Sequence, residues 1–347
     1  MNEKKVVGLN ILIVSDRNSN KSATDYLVNS FARAYQANVI YTKSNAENVN
    51  KVDKILNKIN FEFDKFGINK RLLGELDKKY YNVVFILKGN RIKPRILRKI
   101  KQLYPKIKLI SWCGDNMTKW HNKSFYFHYG VNYYDMVFTV DIPDYKNIEN
   151  FCKKPVFYFD KRADYFTHNP LNIERVSFKY NVLFIGSYEK ERFNTLEFLA
   201  QNGIQIDIFG NMWDRCKDNI HQNLTVHYKE LVGREYVQAI SDAKITLGFL
   251  RKINNDTQTS RTFEIPACGG FMLMERTQEH LRVFKEGKEA EFFDNDEELL
   301  SKINIYIKDS DKREFIAKKG RERVETSGYF FNNLVDDMIS KVIDANN

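Results

Sequence analysis

The chain is poor in cysteine, with four residues in 347, and Cys113, Cys152, Cys216 and Cys268 are widely spaced with no C-x-x-C pair among them. Such spacing suggests neither a disulfide framework nor a thiolate zinc site, and it fits a reducing compartment. No uncharged apolar run approaches the ~18 residues that a membrane-spanning helix needs, and the mean hydropathy is −0.52. The first residues, Met1-Asn2-Glu3-Lys4-Lys5-Val6-Val7, carry an acid and run into a strand-like segment without the apolar core and cleavage site of a secretory signal. A cytoplasmic chain is therefore expected. Internal repeats, low-complexity tracts, G-x-G-x-x-G and Walker sequences, and helix-turn-helix, RNP and zinc-finger signatures are all lacking.

What is present is charge and length. The chain has 55 Lys and Arg against 45 Asp and Glu, a net charge of +10, with 43% apolar residues. It is long enough for two cores. Residues 1–150 hold 26 Lys and Arg against 14 Asp and Glu, and the remainder 29 against 31, so the basic excess lies entirely in the first part. Its densest segment, Lys88 to Lys108, has nine cations and no acid in 21 residues.

Short β-branched runs alternate with helical periods along the chain. Strands are expected at 6–14, 38–42, 82–87, 107–113, 136–140 and 155–159, with helices at 23–35 and 94–103. Residues 143–166 show no clear period, and a domain boundary is expected there. The alternation then restarts, with strands at 180–185, 204–209, 224–227, 245–249 and 271–275. The intervening helices are expected at 191–202, 233–241 and 262–268, and three more near 296–308, 311–326 and 330–345. Two consecutive β/α series predict an α/β protein of two Rossmann-like domains with mostly parallel sheets, whose default ligand site is the cleft between them. The expected division is 1–157, 158–328 and a C-terminal helix at 329–347 packing back on the first domain.

Two segments have the composition of a phosphate site. Val182-Leu-Phe-Ile-Gly186-Ser187 followed by Lys190 and Arg192 reads as a strand, a turn and a helix start. Free N–H groups and a glycine suit a phosphate there, although an ordinary βα turn with solvated cations has the same sequence. Asn255 to Leu273 places Asp256, Thr259, Ser260, Arg261 and Glu264 ahead of the turn Gly269-Gly270. Hydroxyls at a helix start suit a diphosphate, and a glutamate one turn later suits a ribose diol. A surface glutamate and a glycine helix stop would read the same.

The run from Tyr180 to about Val324, with VLFIGSYEKERFNTLEFLA, IDIFGNMW, ISDAKITLGFL and TSRTFEIPACGGFMLMERTQEHLRVF, resembles the donor-binding domain of CgeB-like (spore-maturation type) glycosyltransferases. These are relatives of the group-1 enzymes with the GT-B fold. VVFILKGNRIKPRIL, LISWCGDNMT and YDMVFTVDIPDY are similar to that family's N-terminal domain. The resemblance implies transfer of a sugar from a nucleotide-diphosphate donor to a glycan, lipid-linked or protein acceptor, without a metal or other cofactor. It places Glu264 on the nucleotide ribose as the second glutamate of an E-x7-E signature, whose first position is here Asp256. Gly186, Ser187, Lys190, Arg192, Gly210, Thr259, Ser260 and Arg261 would line the donor diphosphate. Glu264→Ala and Arg192→Ala are expected to weaken nucleotide-diphosphate binding with the fold intact.

An inverting reaction would need a general base from the first domain, for which Asp115 and Asp16, on loops after strands, are the candidates; Asx-turn or capping roles suit them equally. A retaining reaction needs neither. Asp294-Asn-Asp296 and Asp309-Ser-Asp311 carry the D-x-D string of metal-dependent transferases, but each precedes a helix, and capping is the better account. His121 and His128 read as structural. The basic segment 88–108 is either a solvated helix or a face for an anionic surface, a membrane with lipid-linked acceptors or an acidic glycan, giving peripheral attachment at the inner membrane face. Competing readings are a nucleotide-sugar 2-epimerase of the same fold, a non-catalytic nucleotide-sugar binder, and a nucleic-acid binder; nucleic acid is not the expected partner.

Overall fold

The computed structural model describes residues 8–15, 22–42, 67–119, 122–171, 173 and 177–345, with the side chains of 217–219 outside that description. The chain divides into two compact units, Met1–Asp160 with Phe331–Asn347, and Lys161–Phe330. Each is built on one six-stranded, wholly parallel sheet.

Unit 1 has the strands β1 (Asn10–Ser15), β2 (Gln36–Tyr41), β3 (Val83–Leu87), β4 (Lys108–Cys113), β5 (Met136–Thr139) and β6 (Val156–Tyr158), in the order β2-β1-β3-β4-β5-β6. Ile11 to Val14 and Val83 to Ile86 are almost wholly buried, which explains their near-continuous apolar sequences: a parallel strand is covered on both faces. One face packs on α1 (Ala23–Ala34) and the other on α2 (Ile68–Lys78), α3 (Pro94–Leu103), α4 (Phe125–Gly130) and α5 (Ile142–Glu149). A capping box starts α1, with the Ser22 side chain accepting from the Asp25 N–H and Asp25 accepting from the Ser22 N–H. Pro94, with no N–H to lose, opens α3. The expected strands after residue 8 form with small shifts at their ends, whereas residues 6 and 7 lie outside the described residues. The expectation of an aperiodic 143–166 is corrected in part, since α5 occupies its start, capped by the Asp141 side chain on the Asp144 N–H at 2.8 Å.

Unit 2 has β7 (Tyr180–Ile185), β8 (Ile206–Phe209), β9 (Leu224–Val226), β10 (Ala243–Gly248), β11 (Met272–Glu275) and β12 (Glu291–Phe293), in the order β12-β11-β10-β7-β8-β9. This is the Rossmann order, with its reversal between β7 and β10. On one face lie α7 (Gly233–Ser241) and α8 (Arg261–Ala267); on the other lie α6 (Lys190–Gln201) and α10 (Asp296–Lys308). The short α9 (Gln278–Val283) precedes β12, and α11 (Ser310–Thr326) follows α10. Close packing of α7 against the turn after α8 requires Gly270, where a Cβ would sit 2.4 Å from the Ile240 side chain.

The chain then returns to unit 1. In α12 (Phe331–Asp344), Phe331, Leu334, Val335, Met338, Ile339 and Val342 form one apolar stripe buried against α1 and β3, with the Phe331 and Tyr26 rings 6.1 Å apart. Leu334 is fully buried, so Leu334→Ala is expected to destabilise unit 1 by about 2–5 kcal/mol. The exposed Ser340→Ala on the same helix should stay within about 0.5 kcal/mol of wild type. Urea unfolding midpoints that do not separate the two variants would contradict this packing.

Candidate functional site

In unit 2 the connections from β7 and β10 leave in opposite directions, so their carboxyl ends open a crevice, the usual ligand position in such sheets. Two glycines form its floor. The Gly186 N–H donates to the Phe209 carbonyl at 2.8 Å, and a Cβ on Gly210 would lie 2.0 Å from the Gly186 oxygen. That oxygen also accepts from the indole Nε1 of buried Trp213 at 2.9 Å. Here the backbones touch, and no side chain fits between them.

The first turn of α6 brings Arg192 to this floor, but buried at 8% exposure rather than solvated. One of its terminal nitrogens donates to the Ser187 carbonyl at 3.1 Å, and the other lies 3.3 Å from the Glu189 carboxylate. Its Nε has no hydrogen-bond partner among the described residues. Burial lowers its pKa, against the opposing pull of Glu189. Lys190, two positions earlier, is exposed. The loop after β10 answers with Arg251, whose Nε holds the buried Asp256 carboxylate at 3.0 Å, and with Lys252, which is 2.6 Å from Glu275 at the end of β11. Asp256 is thus turned into the protein and paired.

Arg261 and Glu264, three residues apart on α8, form a second ion pair. Arg261 also donates from Nε to the Ile185 carbonyl at 3.3 Å, and its guanidinium lies 4.9 Å from the Tyr236 ring centre. Tyr236 donates its hydroxyl to Glu264 Oε2 at 3.1 Å. The other oxygen, Oε1, faces His168 Nε2 at 3.8 Å. His168 Nδ1 accepts from the Asp164 N–H at 2.9 Å, so the ring proton sits on Nε2, toward the carboxylate. Burial alone would raise the Glu264 pKa, yet Arg261 and His168 hold it below the usual carboxylate range. Burial lowers that of His168, which is neutral near pH 7.

A relay supports the start of α8. Burial pushes the His280 pKa down to about 4. Its neutral ring donates from Nδ1 to the Glu275 carbonyl at 2.7 Å, which leaves Nε2 to accept from the Thr262 hydroxyl at 3.0 Å. Thr262 Oγ1 in turn accepts from the Thr259 N–H at 3.2 Å. This backbone donor is therefore already used. The Thr259 hydroxyl is buried without a partner among the described residues, and Ser260 makes no side-chain cap bond. Tyr236, His168 and Arg251 carry no sequence signal of their own: Tyr236 reads as part of an apolar helix face, and His168 lies in an aperiodic stretch.

In unit 1, Asp115 follows β4 and is paired with Lys88, which follows β3, at 2.7 Å. Its loop is anchored from below. Asn116 donates to Asp141 at 2.9 Å, and the Thr118 N–H donates to Asp144 Oδ1 at 2.9 Å. Asp16 and His121 lie outside the described residues; His128 is exposed, 4.5 Å from the Phe151 ring. At the first D-x-D string the helix cap is Asn295 rather than an aspartate, and Asp294 pairs with Arg276; at the second, Asp309 caps α11. No group of three or more potential metal ligands occurs among the described residues.

Residues 192–340 match the family model for glycosyl transferase-like domains. Over the whole chain the structure is similar to sucrose-phosphate synthase from Thermosynechococcus elongatus, with a TM-score of 0.70 at 11% identity, covering 98% of this chain and 100% of that one. Anabaena HepE in complex with UDP gives 0.65 at 12% identity over 97% and 100%. An alpha-glucosyltransferase in complex with UDP-glucose and DNA containing an abasic site gives 0.66 at 13% over 94% and 98%. By fold the chain is GT-B, and its segment 192–340 is similar to glycosyl transferase-like domains. No curated protein matches this chain by sequence.

Two outcomes follow from the buried carboxylates of this chain. Because Glu264 is buried in an ion pair, its removal strands Arg261, and the expectation of an intact fold is revised. Glu264→Ala should lower stability by about 1–3 kcal/mol, since Arg261 keeps part of its side chain in water, with a milder loss for Glu264→Gln, as read by denaturant unfolding. Asp144 is the second case. Burial raises its pKa from the ordinary 3.8 to about 6, despite the hydrogen bonds from the Met117 and Thr118 backbone. The native state therefore keeps its proton at pH values where the unfolded chain has lost it, so stability falls as pH rises from about 4 through about 6. Asp144→Asn should match wild type near the lower value and exceed it by about 3 kcal/mol at neutral pH. Parallel unfolding curves at both pH values would refute this.

Proposed function

We propose that this enzyme transfers a sugar from a nucleotide-diphosphate donor, bound by unit 2, to a glycan, lipid-linked or protein acceptor in surface-glycan or glycoprotein assembly on the cytoplasmic side. Its subtype is the CgeB-like one that the sequence resembles. The observation that carries the reading is the Arg261–Glu264 pair at the carboxyl end of β7, beside the glycine floor. Glu264 is kept ionised, with Oε1 3.8 Å from His168 Nε2, and accepts from a ribose hydroxyl. Arg261, Arg251 and the partnerless Nε of Arg192 offset the charge that grows on the leaving phosphate. With cations in that role the reaction needs no metal. The Gly186–Gly210 contact lets the diphosphate approach the backbone closely. Asp256, paired with Arg251, acts by fixing that guanidinium. If the reaction inverts the anomeric carbon, Asp115 is the base, its position set by Lys88.

HepE was solved with UDP and the alpha-glucosyltransferase with UDP-glucose, which supports uridine donors as the first to be tried. In a thermal-shift screen of UDP, GDP, dTDP, CDP and their sugars, one base is expected to raise the melting temperature by roughly 5–10 °C at a hundredfold excess over Kd. EDTA should leave that rise unchanged. Glu264→Gln should weaken binding by about tenfold, the effect of one lost charge-assisted hydrogen bond. A flat response to every nucleotide diphosphate would remove the proposed donor site.

A further inference from the structure

Helices α3 and α4 lie side by side on one face of the unit 1 sheet. Leu97 and Ile100 of α3 pack on Val84 and Ile86 of β3, while Phe127 of α4 packs with Cys113 and Val137 of the next strands. The two helices touch each other, since a Cβ on Gly130 would come within 2.9 Å of the Leu97 side chain and the Ser124 hydroxyl donates to the Asn90 carbonyl. Both inner sides are filled, so both outer sides face solvent.

Those outer sides are chemically distinct and adjacent. Arg95, Arg98 and Lys99 stand on the exposed side of α3, and no carboxylate among the described residues pairs with them. On α4, Phe125 and Tyr129 are one turn apart, 44% and 65% exposed, with their rings stacked at 5.9 Å. Leu103, on the last turn of α3, is 54% exposed. Cations alone occur on any solvated helix, but leaving a phenyl ring open to water beside them carries a hydrophobic cost that a covering partner would remove.

We infer that this face docks on an anionic lipid bilayer, with Arg95, Arg98 and Lys99 at the phosphate headgroups and the Phe125–Tyr129 pair in the interfacial layer. A bilayer surface takes cations and aromatic rings together, the rings at headgroup depth with the tyrosine hydroxyl toward water. Nucleic acid fits less well: the two rings cover each other instead of standing apart as base platforms, and Phe125 offers no hydrogen bond to a base or sugar edge. The inference does not depend on the identity of the sugar donor.

Co-sedimentation of the full chain with vesicles of phosphatidylcholine alone, and of phosphatidylcholine mixed with phosphatidylglycerol, tests it. Binding is expected only to the anionic vesicles and should weaken in high salt. The triple variant Arg95→Gln, Arg98→Gln, Lys99→Gln should lower the partition coefficient by about tenfold or more. Phe125→Trp should bind as wild type and shift its emission to the blue on anionic vesicles, and Phe125→Ala with Tyr129→Ala should bind more weakly. These positions are exposed, and unchanged melting temperatures will show that each variant folds. Equal binding to both vesicle types, or no loss in the triple variant, overturns the docking face. Emission from Phe125→Trp that does not move overturns the aromatic anchor. Displacement by a DNA or RNA oligonucleotide that binds more tightly than the vesicles assigns the face to nucleic acid instead.

Discussion

The carboxyl end of the unit 2 sheet depends on one ion pair, the partly exposed Arg261 with the buried Glu264. Burying a carboxylate is costly, and an apolar residue of the same volume often stabilises a protein as well or better. What the pair supplies is direction. Arg261 reaches the last carbonyl of β7 and the ring of Tyr236 on α7, so three elements are held at one point. Glu264 in turn receives the Tyr236 hydroxyl and faces the N–H of His168. Moving any one of these groups leaves a charge or a donor without its partner inside the protein, which fixes the geometry around the glycine floor within narrow limits.

The two units use similar numbers of cations in different ways. In unit 2 the cations are largely matched by carboxylates: Arg276 meets Glu286, Asp294 and Glu298, and Lys302 meets Glu286, Glu291 and Glu298. These networks tie β12 to α10, and Arg276 holds the Glu298 pKa down to about 2. On the outer side of α3 there is no such matching among the described residues, and the field there reaches into solvent. A net charge of +10 for the whole chain hides this contrast.

Most strands were legible from the sequence because a strand covered on both faces must be apolar at every position, as in Ile11–Val14 and Val182–Ile185. The stripe of α12 was legible for the complementary reason, with one covered side and one wet side. Some short elements were not, although β6 and β9, of three residues each, were expected. β12 has three residues, α4 and α9 six each, and such pieces form because neighbours hold them rather than by their own periodicity. In α2, which keeps Ile68, Leu72 and Leu76 on one buried face, the weak helix former Gly74 stands mid-helix. At the site, sequence spacing pointed to Gly186, Gly210, Arg261 and Glu264, which the fold gathers at one end of the sheet. It gave no sign that Arg192 and Asp256 are buried, because burial depends on Glu189 and Arg251 folding over them.

The path of the chain also sets an order of events during synthesis. All six strands of unit 2 and the helices on both its faces are complete by Phe330, so this unit can close as soon as that length has left the ribosome. Unit 1 was begun earlier and finishes later. The face of its sheet around Phe85 and Phe138 waits for the stripe from Phe331 to Val342, and until then its apolar side chains stay open to other chains. Helix α12 is thus the closing piece of unit 1, and a chain that stops short of Phe331 leaves that part of the apolar sheet face uncovered.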